Sequence, residues 1–224
     1  MNEDAPKSAN QEPPLEVRFS SIYEGSSLSL ISYDELPITA AEHFESQSEK
    51  FILPEKYVPK NFSTIGRLSH TDGSVTYFAE QTKTYSEKGE SELLTYFMDY
   101  IDGEPAGYSE LRYNNTSELG SFTEPFVGMT RTYGPDDKKY GLNNFQKRGL
   151  GERRLIEMDA YARAVYGKSL DSDTVLVHDN IDYQGNLTSS IARIWERFVE
   201  EGKAEKYVRS VLKDGSEIFA YRMK

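Results

Sequence analysis

From residue 145 to residue 167 the chain reads Phe-Gln-Lys-Arg-Gly-Leu-Gly-Glu-Arg-Arg-Leu-Ile-Glu-Met-Asp-Ala-Tyr-Ala-Arg-Ala-Val-Tyr-Gly. A polar and basic run with two glycines, Gly149 and Gly151, comes directly before an amphipathic segment. The apolar residues of that segment recur at helical spacing, at Leu155, Met158, Ala162 and Val165. Gly167 stands where a left-handed residue commonly ends a helix. The stretch therefore predicts a glycine-containing loop that leads into the N-terminus of a helix.

The charged residues Arg153, Glu157 and Arg163 fall outside the apolar stripe, and the loop itself is basic. Residues 145–168 carry six basic and three acidic residues, a local charge of +3 in a chain whose net charge is −11. The first turn of a helix leaves backbone N–H groups without partners, at the positive end of the helix dipole. Glycines let a ligand approach such amides closely, so the segment predicts an anion site suited to phosphate. The alternative interpretation is a capped loop followed by an ordinary surface helix with solvated arginines.

Three familiar phosphate-binding loops can be compared with this one. A Walker loop requires Gly-Lys-Ser/Thr after its glycines, whereas Gly-Glu-Arg follows here, which excludes it. The dinucleotide-binding fingerprint requires a third glycine three residues after the second, and Arg154 occupies that position. The remaining pattern, Gln/Arg-x-x-Gly-x-Gly/Ala, is matched in register by Gln146, Gly149 and Gly151.

Through Gln146, Gly149 and Gly151 the chain resembles the GNAT superfamily of N-acyltransferases. In that family the loop wraps the pyrophosphate of acyl-coenzyme A, so the resemblance implies acetyl-CoA as the cofactor. It also implies an α+β (α/β) fold with a mixed, mostly antiparallel central sheet flanked by helices. The implied reaction is transfer of an acetyl group from the thioester to an amine, by direct attack in a ternary complex. The acceptor is an amine-bearing small molecule or a protein amine, and the sequence leaves that choice and the oligomeric state open.

The order of predicted elements after the loop supports the resemblance more than any single residue does. These elements are a short buried strand at 174–178, a helix at 188–201 and two strands at 207–212 and 217–223. The two strands flank Asp214-Gly215, which is typical of a hairpin turn. The resemblance covers residues 91–224, which we interpret as the cofactor-binding core.

The chain before this core is interpreted as an elaboration of the same domain. Residues 1–14 are polar and proline-bearing and predict a disordered arm, whereas residues 15–224 predict a single domain. Within its front half, residues 15–90, the segment 15–31 alternates apolar and polar residues as a strand does, interrupted by a Ser/Gly cluster. Residues 34–50 predict a helix.

Two Asp-Gly turns between runs rich in aromatic residues and threonine predict two hairpins ahead of the loop. The four predicted strands are residues 63–70, 75–85, 93–101 and 106–113. Residues 124–133 predict the central strand, in which Gly128 marks either a bulge or an ordinary strand glycine. Residues 134–144 intervene between this strand and the loop, as either a local insertion or a mobile flap.

Composition excludes several classes of function. The net charge of −11 argues against a nucleic-acid binder or a protein of anionic membranes. No apolar run is long enough to cross a bilayer, and the first residues do not form a secretory signal, so we expect a cytoplasmic protein. With no cysteine there is neither a disulfide framework nor a thiolate ligand. The three histidines, His43, His70 and His178, are scattered, so no metal site is expected.

The resemblance also implies which residues act. A lysine-type amine has a pKa of about 10.4, so a base or a desolvated exit path must remove its proton. Glu124, at the head of the central strand, is the first candidate base, with Glu110 in the preceding hairpin as the second. His178, at the end of the strand after the helix, is a further catalytic candidate, or else a structural histidine.

The expected cofactor contacts follow from the same resemblance. The pyrophosphate loop comprises Gln146, Lys147, Arg148, Gly149, Leu150, Gly151 and Glu152, with Arg153 assisting, and Thr130, Arg131 and Thr132 contact the pantetheine arm. The family's usual acid is a tyrosine in the helix at 188–201, and Trp195 stands at that position beside the cofactor. Because tryptophan is no useful proton donor, Trp195 is also consistent with a core residue, with Tyr183 and Tyr207 as weak substitutes. The alternative function is a catalytically inactive GNAT-like binding or regulatory module.

Overall fold

The computed structural model describes residues 12–49, 62–84, 91–114, 124–172, 188–211, 213, 215 and 217–224. The helices are α1 (Leu15–Ser20), α2 (Ile38–Glu49), α3 (Leu150–Tyr166) and α4 (Thr188–Glu200). The strands are β1 (Ser26–Leu30), β2 (Phe62–His70), β3 (Val75–Thr84), β4 (Ser91–Ile101), β5 (Glu104–Asn114), β6 (Phe126–Thr132), β7 (Ala204–Val211) and β8 (Glu217–Met223). Short 3-10 turns cover Tyr33–Glu35 and Pro135–Tyr140. None of the described helices is both long and apolar enough to cross a membrane.

Within these residues the strands form two antiparallel sheets. The larger sheet is a meander in which β1 to β6 lie side by side in chain order, and the smaller one is the β7–β8 hairpin. The prediction of a mixed α+β fold with a mostly antiparallel central sheet is confirmed, as are the three hairpins. In the β4–β5 turn both Asp102 and Gly103 are left-handed, as a two-residue turn between twisted strands requires.

The six-stranded sheet is covered on both faces. Because side chains alternate along a strand, neighbours such as Phe97 and Met98 belong to opposite faces. Phe97 joins the larger core, to which α1, α3 and α4 contribute. Met98 joins a second core in which Ala40 and Phe44 of α2 lie against β3 and β4. Helix α3 is thus a central helix rather than a surface one, since ten of its residues are buried.

Asp171 connects the two sheets. It forms a parallel bridge with Phe126 of β6 and an antiparallel bridge with Arg222 of β8. Its backbone N–H donates to the carbonyl of Pro125 at 2.8 Å, and its own carbonyl accepts from the N–H of Val127 at 3.3 Å. The chain therefore runs from β6 through α3 and returns parallel to β6, with residues 173–187 outside the described residues.

The prediction of a strand at the start of the domain was wrong for its first part. Residues Leu15–Ser20 form helix α1, and the strand begins only at Ser26. Leu15, Phe19 and Tyr23 are four residues apart and face the larger core together, whereas Val17 is exposed. The alternation of Val17 with Phe19 was thus coincidental, because the side that is buried repeats with the period of a helix.

Candidate functional site

The loop before α3 has an unusual backbone. Lys147 and Gly149 both lie in the left-handed region, with φ of 65° and 76°. A Cβ on Gly149 would meet open space, so glycine is favoured there by conformation rather than by crowding. Lys147 has no such freedom, and a non-glycine residue in this region is uncommon and concentrates at functional sites.

The N-terminus of α3 presents free donors. Gly149 is the N-cap residue and has no side chain to offer the first turn. The first helical hydrogen bond runs from the N–H of Arg153 to the carbonyl of Gly149, at 3.1 Å. In the part of the chain that the structure describes, no acceptor takes the N–H groups of Leu150, Gly151 and Glu152. Together with the helix dipole these donors favour an anion.

Two cations of the loop are available to such an anion. Lys147 and Arg148 are exposed, and neither pairs with a described carboxylate. Arg153, in contrast, is directed to the β2–β3 turn, where its Nη1 donates to Ser74 Oγ at 2.6 Å and lies 3.3 Å from Asp72 Oδ2. Of the predicted phosphate contacts, Lys147 and Arg148 therefore have no described carboxylate partner, although the Arg148 guanidinium lies over the Phe145 ring at 5.2 Å, and Arg153 is engaged elsewhere.

The flanks of the loop are fixed to the sheet. The N–H of Phe145 donates to the carbonyl of Tyr133 at 2.9 Å, directly after β6. Phe145 and Leu150 are buried with Ala106 of β5 in a small apolar cluster. Beside this cluster a cleft of about 400 Å³ is lined by Ile101, Asp102, Glu104, Lys138, Asn143, Asn144, Phe145 and Arg148. Its volume is in the usual range for small-molecule sites.

The intervening segment 134–144 is folded against the sheet. Asp137 is buried, accepts from the N–H of Gly134 at 2.8 Å, and lies 2.5 Å from Nη2 of Arg131. Of the two possibilities that the sequence left open, these contacts favour a local insertion that continues from β6 over a mobile flap.

Arg154 joins α3 to three strands from inside the protein. Its side chain is 1 % exposed and forms an ion pair with Asp99 of β4. Its Nη1 donates to the carbonyls of Tyr108 and Arg131, at 3.2 and 2.8 Å. The hydroxyls of Thr130 and Thr132 on β6 accept from the same guanidinium at 3.1 and 2.8 Å. The end of β6 and the start of α3 are therefore held in one fixed relation.

These bonds bear on the predicted pantetheine contacts. The side chains of Thr130 and Thr132 face α3, and Arg154 uses their hydroxyls. The side chain of Arg131 lies on the opposite face, half-exposed and paired with Asp137. A ligand along β6 would consequently meet its backbone edge rather than these hydroxyls.

Gly107 makes room for the Arg154 guanidinium. A Cβ at this position would overlap the backbone carbonyl of Arg131 and Nη2 of Arg154. We expect Gly107→Ala to lower the free energy of unfolding by about 1–3 kcal/mol, because a backbone atom must move to admit the methyl group. Chemical denaturation measures this change.

Gly151→Ala is the matched control for that substitution. Its Cβ would meet only the terminal Cδ1 of Ile194, at 3.1 Å, which is the flexible end of a side chain. Alanine also favours a helix over glycine by up to about 1 kcal/mol, so we expect no loss of stability. Equal losses in the two variants would contradict the role assigned to Gly107.

Gly128 marks a bulge in β6, which settles the alternative left open by the sequence. Glu110 pairs with Met129 and Leu111 with Val127, so Gly128 is the additional residue. A Cβ on Gly128 would approach Glu110 Oε1 and Arg112 Nε within 2.7 and 2.5 Å. Glu110, the second candidate base, is buried at the bulge and paired with Arg112.

Glu124, the first candidate base, lies at the opposite end of β6 from the loop. Glu124 precedes β6 and is half-buried, with a carboxylate oxygen 4.0 Å from Lys168 Nζ. The loop follows the other end of the strand, so the 128–132 segment of β6 separates them. His178 and Tyr183 lie outside the described residues. The structure therefore brings Glu110, rather than Glu124, to the bulge.

The aromatic candidates have defined partners. Trp195 is 2 % exposed, stacks on Tyr221 with ring centres 5.9 Å apart, and meets Phe198 edge-on, which places it in the larger core. Tyr207 donates its hydroxyl to Asp171 Oδ2 at 2.6 Å. Burial, and then this bond to Asp171, raises the pKa of Tyr207 to about 12, which makes it a poor acid near neutral pH.

Sequence reasoning missed the polar groups that assemble the site. Arg154 and Asp99 are ordinary charged residues in the sequence, and nothing local indicates that they are buried together. One available indication was that Arg154 lies four residues before Met158, on the apolar stripe itself. Gly107 gave no indication of its own.

Comparison with known proteins adds no relative to this description. No family model matches the chain, and no match is found among curated proteins or solved structures.

Proposed function

We propose that the protein is an acetyl-CoA-dependent N-acetyltransferase with a GNAT-like fold. The observation that carries this proposal is the start of α3, where backbone N–H groups without an acceptor among the described residues lie in sequence next to the exposed Lys147 and Arg148. The position of this start supports it, because Phe145 at the beginning of the loop is hydrogen-bonded to Tyr133 at the end of the bulged strand β6, across the inserted residues 134–144, and the chain then returns parallel to β6 at Asp171. Many helix N-termini bind no ligand. The combination of this N-terminus with the loop pattern at 146–151 favours a diphosphate as the ligand.

The residues present fit the charged part of such a cofactor. The N–H groups of Leu150, Gly151 and Glu152 would donate to phosphate oxygens, and Lys147 and Arg148 would balance their charge. The bulge at Gly128 interrupts the ladder of β6, so backbone groups there are candidates to donate to a thioester oxygen. When bound, the cofactor supplies an activated acetyl group.

The acceptor is proposed to be an amine, on a small molecule or on a protein. Its proton must leave before or during attack, and Glu124, His178 and Glu110 are the candidate bases. Burial at the bulge favours Glu110 on position, whereas its carboxylate is already paired with Arg112. Positioning contributes up to about 7–11 kcal/mol to such a reaction, so few special side chains are required.

A binding or regulatory module without catalysis is the second candidate. Trp195 favours it, since the residue that aligns with the family's tyrosine acid is an indole buried in the core. A cofactor bound at the loop would then serve as a signal or as a structural ligand.

Isothermal titration with acetyl-CoA tests the proposal directly. We expect saturable binding that weakens with salt, because the contacts are to charged phosphates. The controls are free CoA, which should also bind, and pantetheine, which lacks the pyrophosphate and should bind much more weakly. Absence of binding by both nucleotides would overturn the proposal. Binding without thiol release across a panel of amines and peptides would favour the module over the enzyme.

A further inference from the structure

Five polar side chains lie between α3 and the sheet, away from solvent. They are His70 of β2, Thr76 of β3, Asp99 of β4, and Arg154 and Glu157 of α3, all at most 8 % exposed. None of them is a candidate base or cofactor contact in the proposed function, although Arg154 holds the start of α3 on β6. Buried polar groups without partners are costly, so the positions of their protons can be worked out from which atoms must donate.

The positions of the protons can be assigned one by one, starting from Asp99 and continuing through Thr76 to His70. Asp99 is paired with Arg154 and is therefore an ionised acceptor. The Thr76 hydroxyl donates its single proton to Asp99 Oδ1 at 2.8 Å. His70 Nε2 lies 2.9 Å from the same hydroxyl oxygen. Because the Thr76 proton is already used, Nε2 must carry a hydrogen and donate it to Thr76.

The other ring nitrogen then requires a proton from outside the ring. His70 Nδ1 lies 3.2 Å from Glu157 Oε1. Neither atom has another hydrogen-bond partner among the described residues. Two bare acceptors would repel at this distance, so one proton must lie between them, on the carboxyl or on the ring.

We propose that Glu157 is an uncharged carboxylic acid in the folded protein at neutral pH. Its proton, donated to Nδ1 of His70, begins a chain of hydrogen bonds that passes through Thr76 to Asp99 and holds α3 on the sheet. Glu157 lies two turns after Leu150 on the same helix, so this proton also steadies the helix whose N-terminus carries the loop.

The surrounding charges agree with an uncharged pair. Groups facing Glu157 are Tyr23 after α1, Asp72 of the β2–β3 turn, Asp99 of β4, and Arg153 and Arg154 of α3 itself. The two aspartates and the two arginines already balance. Arg153 Nε is 3.7 Å from Glu157 without a hydrogen bond, and its Nη1 is directed to Ser74.

Protonation tendencies of the pair point the same way. Burial, followed by the charge of Asp99, raises the pKa of Glu157 well above its usual range, and this outweighs the two arginines. Burial, followed by the charge of Arg153, lowers the pKa of His70 to about 4. Both directions place the shared proton on the carboxyl rather than on the ring.

The shifted pKa values of Glu157 and His70 make the stability of the folded protein depend on pH. The raised pKa of Glu157 contributes stability that is full below 4.5 and is lost as the pH rises toward the folded value. The lowered pKa of His70 contributes stability that is full above 6.5 and is lost as the pH falls toward about 4. The two effects oppose each other from 4.5 to 6.5, so above 6.5 only the loss from Glu157 remains.

Denaturant unfolding of the full chain between pH 7 and pH 9 tests the proposal. We expect the folding constant of the wild type to fall with pH, by at most about tenfold per unit, since folding takes up one proton. Glu157→Gln should remove that slope, because its amide N–H donates to Nδ1 at every pH. Glu200→Gln, at an exposed position of α4, is the control and should keep the wild-type slope.

Nitrogen NMR of His70 in the wild type gives a second readout that needs no variant. At pH 7 we expect the neutral ring with hydrogen on Nε2 and an accepting Nδ1. An imidazolium at pH 7 would mean that His70 and Glu157 are both charged, which would overturn the proposal. The proposal would also be overturned if the folding constants of the wild type and of Glu157→Gln changed equally with pH. Neither measurement depends on acetyl-CoA, so the two proposals fail independently.

Discussion

Arg154→Met is expected to lower the free energy of unfolding by about 3–5 kcal/mol, the range for removing one partner of a buried ion pair. Asp99 would remain as an uncompensated charge, with no exposure to water. The carbonyls of Tyr108 and Arg131 would lose a donor at the same time. Chemical denaturation monitored by circular dichroism measures the loss.

Two comparisons separate the buried charge from the general effect of losing an arginine. Arg197→Met removes the partner of Glu152 at a site where both side chains are partly exposed, and should cost less than about 1 kcal/mol. The double variant Arg154→Met with Asp99→Leu removes both charges and should regain much of the loss, because paired buried charges are often replaceable by apolar residues. A cost below 1 kcal/mol in Arg154→Met would contradict the anchoring role.

Gly149→Glu is expected to weaken acetyl-CoA binding by at least about 100-fold, or about 2.7 kcal/mol. The new carboxylate would lie at the N-terminus of α3, where it would both repel phosphate and occupy the donors. Open space around Gly149 lets the fold persist, at a backbone cost of roughly 1–2 kcal/mol for the left-handed conformation. Isothermal titration, with circular dichroism as a check of folding, measures both effects.

Gly167→Glu is the matched control at the other end of the same helix. Gly167 is also left-handed, with φ of 67°, and a Cβ there would also meet open space. The strain is therefore comparable while the loop is untouched, so binding should be retained. Wild-type affinity in Gly149→Glu would show that the diphosphate, if bound, is held elsewhere.

Local signals in the sequence were sufficient for strands β2 to β8 and for α3, whereas the strand predicted at 174–178 lies outside the described residues. Asp102-Gly103 and Asp72-Gly73 require turns whichever residues surround them, because aspartate and glycine accept left-handed angles. The glycine that ends α3 acts in the same way. The helix Leu15–Ser20 was missed because six residues carry too short a pattern to separate a period of 3.6 from a period of 2.

Local sequence patterns did not predict which charged side chains are buried. Glu157 falls outside the apolar stripe of α3, yet its side chain is fully buried, because a helix covered by both the sheet and its neighbours has little outer face. The sequence also suggested Arg153 for phosphate, whereas the β2–β3 turn, some 80 residues earlier in the chain, takes it up. Such pairings depend on contacts between distant segments and not on spacing.

Patterns of neighbouring residues were thus enough to specify a basic glycine loop, the helix after it, and two hairpins and a further strand before it. Turn formation and the periodicity of apolar residues each depend on a few residues that are close together in the sequence, so a local pattern is enough to predict them. The choice of which charges are buried together, in Arg154 with Asp99 and in Glu157 with His70, came from packing α3 onto the larger sheet. Desolvation has no local signature, since it is set by whatever the rest of the chain places over a side chain.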